Sequence, residues 1–97
     1  MTDPRDSAPS GSRLDELLEF PTVFVFRVMG PADIGLDRSC REATQATLGR
    51  APEAIEVRPS SKGRWCSVRI GTTVVSADEI ERLYGALRDI NGVRLVL

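Results

Sequence analysis

The hydrophobic pattern of this chain predicts an α+β sandwich: a four-stranded antiparallel sheet with two helices on one face, in the order βαββαβ. Three observations carry that expectation. Val23-Phe-Val-Phe-Arg-Val-Met29 is apolar at both alternating sets of positions, the pattern of a central strand with cover on each side. Arg64 to Val75 alternates, with Cys66, Val68, Ile70, Thr72 and Val74 on one face and Trp65, Ser67 and Arg69 on the other. Ser76-Ala-Asp-Glu79 is a capping box ahead of Ile80, Leu83, Tyr84, Leu87 and Ile90, which hold the spacing of a core-facing helix.

In chain order, Met1 to Ser12 is rich in Pro, Ser, Asp and Gly, and buries too little to repay ordering it. It reads as a flexible tail, and residues 13–97 as a single domain. Arg13 to Glu19 places Leu14, Leu17 and Leu18 at i, i+3, i+4, a short N-terminal helical turn laid on the domain and ended by Pro21. Thr22 to Gly30 is the first strand. Asp33 to Leu48 is a helix with Leu36, Cys40, Ala43 and Thr47 in its stripe, Asp33 as cap and Gly49 at its end. Ala54 to Arg58 is a short strand, and Pro59 marks it as an edge. Arg64 to Val75 is the third strand. The capped helix follows, Asn91-Gly92 ends it, and Val93 to Leu97 is the last strand. This is the ferredoxin-like arrangement, in which right-handed crossovers put strands 1 and 3 in the centre.

Composition narrows the function. Thirteen basic and fourteen acidic residues leave a net charge of −1, which argues against whole-protein attraction to nucleic acid or anionic membrane. The charge is unevenly placed, however. Residues 1–19 hold five acids and two arginines, whereas Val57 to Ala77 has no acid and contains Arg58, Lys62, Arg64 and Arg69. No stretch approaches the roughly 18 apolar residues of a membrane span, and the N-terminus lacks the apolar core of a secretory signal. A cytoplasmic location follows, consistent with only two cysteines.

Catalytic readings find no support. The chain has no histidine, which removes His-based triads and His metal ligands. Cys40 and Cys66 lie 26 positions apart without a CxxC, and each falls on an apolar stripe, as a core cysteine does. Asp15-Glu16 and Asp78-Glu79 sit in first helical turns, where they offset the helix dipole. No metal site and no cofactor is expected, and the chain reads as a non-enzyme.

Several stretches are similar to one family: Leu17-Leu-Glu-Phe-Pro-Thr22 running into Val28-Met-Gly30, then Arg58-Pro-Ser-Ser-Lys-Gly63 with Ser67-Val68, then Leu83-Tyr84 and Val93-Arg-Leu-Val-Leu97. Over residues 13–97 they resemble the YbeD-like family of small uncharacterised bacterial proteins. That resemblance implies a ferredoxin-like fold akin to ACT regulatory domains, and it supplies no catalytic residue. Members are often filed as regulators of lipoate metabolism. Where the family often carries an aromatic after the loop glycine, this chain has Arg64-Trp65.

Three regions are candidates for function. The β2–β3 hairpin joins Ser60, Ser61, Lys62, Gly63, Arg64 and Trp65 in one basic turn suited to a protein partner or an anion. A purely geometric role needs only Gly63 at positive φ and serines bonding local amides. The loop carrying Gly30, Asp33 and Gly35 is the alternative, at the position where the ACT resemblance places amino-acid effectors; an ordinary turn capped by Asp33 explains it more simply. The open sheet face, with Val23, Val25, Met29, Trp65 and Val96 among Arg27, Arg58, Arg69 and Arg94, is the third. RNA stacked on Trp65 would suit it, although no aromatic run of the RNA-binding kind is present; a sheet-to-sheet homo-oligomer, or a cover from the N-terminal helix, explains the aliphatics more cheaply. The sequence thus reads as a non-enzymatic regulatory or adaptor domain binding a protein partner or small anionic metabolite. The alternative is an RNA-binding module using the hairpin and sheet face.

Overall fold

A computed structural model describes residues 17–97. The first strand, β1, spans Thr22–Pro31; helix α1 spans Leu36–Leu48; strands β2 and β3 span Ala54–Pro59 and Trp65–Val74; helix α2 spans Ala77–Arg88; and β4 is the pair Leu95–Val96. The sheet order is β2-β3-β1-β4, every pairing antiparallel, with the expected strands in the centre and the Pro59-bearing strand at an edge. Strand β4 is short because Val93 is held in a turn, its amide donating to the Ile90 carbonyl at 3.1 Å.

Alternation divides the sheet into two faces. Phe26 and Val28 of β1, with Cys66, Val68, Ile70 and Val74 of β3, turn to the helices and are buried. They meet Leu36 and Cys40 of α1 and Ile80, Leu83 and Leu87 of α2 in one core. Phe24, Phe26 and Tyr84 close one end of that core, the Phe26 and Tyr84 rings edge to face at 5.0 Å. The opposite face carries no secondary structure among the described residues.

Four expectations need correction. Helix α1 starts at Leu36, not Asp33: its N-cap is Gly35 at φ 66°, with no side-chain cap, so Asp33 does not perform that role. The fully buried row of α1 is Leu36, Cys40 and Thr44; Ala43 packs half-buried against the core as expected, but Thr44 takes the place expected of Thr47, its hydroxyl donating to the Cys40 carbonyl at 2.8 Å, which lets a polar residue sit fully buried. Val96 pairs opposite Val28 and packs on the core, so Leu95 takes the place on the open face expected of Val96. In the N-terminal segment Leu18 and Phe20 pack against the core, whereas Leu17 is 62% exposed. The tail over residues 1–12, and Leu14 of the expected helical turn, lie outside the described residues.

The capping box at α2 is half as expected. Ser76 Oγ accepts from the Glu79 amide at 3.2 Å, but Glu79 reaches back to the Val75 amide at 2.9 Å instead of that of Ser76. The reason is Arg50, whose guanidinium grips both Glu79 oxygens, at 2.8 and 3.3 Å, and draws the carboxylate toward the end of β3.

Candidate functional site

The hairpin owes its shape to local bonds. The Gly63 amide donates to the Ser60 carbonyl at 3.0 Å, closing a tight turn, and Gly63 takes φ 73°, which a side chain would strain. The Ser60 amide donates to the Trp65 carbonyl at 2.8 Å, and Ser60 Oγ accepts from the Trp65 amide at 3.3 Å. Ser60 is therefore engaged in holding the turn. Ser61, Lys62 and Arg64 are exposed, and neither cation forms an ion pair among the described residues.

Packing brings the two loop candidates together. The Ala32 amide donates to the Arg64 carbonyl at 3.0 Å, and the Cys66 thiol faces the Pro31 carbonyl at 3.8 Å. Between the loops lies a recess of about 360 Å³ bordered by Pro31, Ala32, Asp33, Gly63, Arg64 and Trp65. Gly30 is fixed by crowding: a Cβ there would stand 3.2 Å from Leu36 Cδ2 and 3.3 Å from the Gly92 carbonyl oxygen. Gly35 has open space around it and serves the start of α1.

On the open face Trp65 also borders a larger cavity, of about 630 Å³, between the ends of all four strands. Met29 and Leu95 supply its apolar wall, Ser60 and Ser67 its hydroxyls, and Arg58 and Arg94 its charge. The Arg94 guanidinium stands over the Trp65 ring, 5.2 Å from its centre. Arg58 is held by Glu56 at 3.0 Å across an exposed contact that water screens, so it can be exchanged for another anion at little cost. This volume falls within the usual range of small-ligand sites, and the mixture of apolar wall and few polar groups is typical of them.

Of the sequence candidates, Ser60 and Trp65 reach the larger cavity, as does Gly30; Asp33, Gly63 and Arg64 border the smaller one; Ser61 and Lys62 border neither. Met29, Arg58 and Arg94, expected on the open face, border the larger cavity too, whereas Leu95 was missed because Val96 was given its place. Strand alternation already put Arg94 and Met29 on the open face, but their meeting with Trp65 depends on the β1–β4 pairing.

Nucleophilic chemistry has little to work with here. Burial, then the nearby Asp37 carboxylate, then Cys66 push the Cys40 thiol up to about 12. Burial followed by Asp37 raises Cys66 as well. Both thiols are free and protonated at neutral pH, opposite to the state a nucleophile requires. Among the described residues no group of three His, Cys, Asp or Glu side chains stands close enough to hold a metal, and no helix is long and apolar enough to cross a membrane.

Comparison with known proteins places this geometry in context. The model of a family described as a protein of unknown function (DUF493) matches residues 15–97. The UPF0250 protein YE3006 of Yersinia enterocolitica is 42% identical over 88 residues, covering 89% of this chain and 98% of the relative. A UPF0250 protein of Shewanella sp. (strain ANA-3) is 44% identical over 87 residues, covering 89% and 97%. Among solved structures, protein HP0495 from H. pylori aligns with a TM-score of 0.71 at 14% identity, covering 100% of this chain and 96% of its own. The ACT domain from the GTP pyrophosphokinase of Chlorobium tepidum aligns with a TM-score of 0.57 at 15% identity, covering 78% and 83%. At such identities the likeness shows the fold alone, an ACT-like ferredoxin fold.

Proposed function

The chain belongs to the DUF493 (UPF0250) family, and we propose that it is a non-catalytic regulatory or adaptor domain of the cytoplasm that recognises an anionic partner at the open-face cavity. The observation that carries this reading is the convergence of Arg58, Arg94 and Trp65 around an apolar wall of Met29 and Leu95. Two guanidinium groups supply charge and directional donors, and the indole and aliphatic groups supply area. That combination favours an anion attached to an apolar body over a bare inorganic ion. An RNA-binding reading has less behind it, because Trp65 is the one aromatic on that face and Arg94 already stands over its ring.

Trp65 is the chain's single tryptophan, so its fluorescence reports the cavity directly. Titration with pyrophosphate, citrate and poly-glutamate at low ionic strength should give a saturable response to at least one of them. Added salt should weaken it, and Arg58→Ser with Arg94→Ser should remove it. A flat signal with all three probes overturns the reading.

A further inference from the structure

Resting on that anion-recognition reading, we propose that the open sheet face docks an acidic segment of another protein. The segment's carboxylates lie over Arg27 and Arg69, and one large apolar side chain sits between Met29, Trp65 and Leu95.

The central observation is a pair of like charges on one rung of the sheet. Arg27 on β1 is the direct cross-strand partner of Arg69 on β3. The Arg27 amide and carbonyl are both engaged with Leu97, at 3.0 and 2.8 Å, on the β4 side. The Arg27–Arg69 rung is therefore a non-hydrogen-bonded one, where opposed side chains come closest. Like charges directly opposite destabilise a sheet. Glu56 is the cross-strand partner of Arg69 on β2 and the obvious source of relief, but its carboxylate is bonded to Arg58 at 3.0 Å. Among the described residues neither Arg27 nor Arg69 has an ion-pair partner. The fold bears this repulsion, and none of the described residues relieves it.

The surroundings decide what an incoming anion is attached to. Val25, Met29, Leu95 and Leu97 are between 41 and 54% exposed on the same face, so the arginines stand in an aliphatic field. A nucleic acid would find one stacking surface there. A second copy of this chain, face to face, would set arginines against arginines. A peptide segment that alternates carboxylates with an apolar anchor matches both the charge and the aliphatic surface, and a cavity of about 630 Å³ accommodates that anchor.

The test uses twelve-residue synthetic peptides of Asp and Glu with a central Leu or Phe, the same peptides with Ser at the centre, oligouridine and pyrophosphate. Binding is followed by Trp65 fluorescence and calorimetry. The anchored acidic peptide should bind most tightly. Its affinity should fall about tenfold or more in Arg27→Ser/Arg69→Ser, as expected for loss of close charge pairs. That variant should melt no lower than the parent, since it removes a repulsion. Arg69→Glu should shift preference toward a peptide with lysines in place of the acids. Pyrophosphate binding alone, lost on Arg58→Ser/Arg94→Ser, would leave the anion site standing and overturn the docking proposal. Oligouridine binding more tightly than any peptide overturns it in favour of RNA, equal peptide binding by parent and Arg27→Ser/Arg69→Ser removes it from this face, and silence with every probe sinks both readings.

Discussion

At one end of β3, Arg50 bonds its guanidinium to carbonyls and a carboxylate of the fold; at the other, Arg58, Arg64 and Arg94 present theirs outward. Arg50 donates to the Thr73 carbonyl at 2.6 Å, to the Leu48 carbonyl at 3.1 Å and to both oxygens of Glu79. It thereby ties the end of α1, the end of β3 and the start of α2 at one corner. Arg82 adds a second tie there, donating to the Thr47 carbonyl at 3.0 Å. At the hairpin corner the cations meet an exposed glutamate, an indole face or water. The same residue type is a structural bolt where carbonyls converge on it and is left free for the proposed recognition where they do not. What separates the two roles is the number of acceptors already in place.

Both corners rest on the core, so the core sets the scale for any comparison between them. Leu83→Ala should cost about 2–5 kcal/mol, because the side chain is fully buried between α2 and the sheet. Leu87→Ala should behave alike. Urea melts that find Leu83→Ala as mild as a surface change would remove the helix–sheet core that holds the corners apart.

The Arg50 corner should come next. Glu79→Gln should lower stability by about 1–2 kcal/mol at neutral pH, with the lower end favoured because Arg50 is 39% exposed and water screens the pair. The bonds from Arg50, helped by the Val75 amide, hold the Glu79 carboxyl below the usual carboxylate range. A depressed native pKa stabilises the fold above the unfolded pKa, and that contribution fades as pH falls through the native value. The gap between parent and Glu79→Gln should therefore be full at neutral pH and close on acidification. A gap that stays constant down to acid denaturation would show that the glutamate charge does not tie this corner.

How much of this could be read from the sequence depends on how far apart the partners lie. The stripe of α2, its Ser76 cap, the alternation of β1 and β3 and the edge position of β2 all repeat a local period or obey a local rule, and all are as expected. Arg50–Glu79 and Trp65–Arg94 each join residues 29 apart, where no period carries information. Val96 was assigned to the wrong face because β4 is two residues long, too short for alternation to register. Thr44 was hidden by its hydroxyl: pattern reading scores it polar, whereas the bond to the Cys40 carbonyl makes it fit for burial.

Between the corners, the covered face of β3 holds a group that should reverse the sign. Thr72 is buried, and its Oγ1 has no hydrogen-bond partner among the described residues. Thr72→Val keeps the branched shape and removes the orphaned hydroxyl, so stability should rise by up to about 1 kcal/mol. Thermal melts showing a loss would mean that the hydroxyl is satisfied, by water for instance, and that this part of the core is wetter than its packing suggests.

The smallest stability effect belongs to the hairpin corner, and it is the sharpest test of the contrast with Arg50. Lys62 and Arg64 carry the same charge as Arg50 but form no ion pair among the described residues. The turn is closed by the backbone of Ser60, Gly63 and Trp65, with Ser60 Oγ as the only side-chain contributor, so neither cation holds its shape. Lys62→Ser with Arg64→Ser should therefore leave stability within about 0.5 kcal/mol of the parent, as surface exchanges away from such ties do. Arg64 borders the recess shared with Asp33, and Lys62 borders neither cavity, so anion binding at Trp65 should persist in the double variant and vanish only with Arg58 and Arg94. Loss of binding in the Lys62/Arg64 variant, with its melting curve unchanged, would move the recognition site from the sheet face to the hairpin tip.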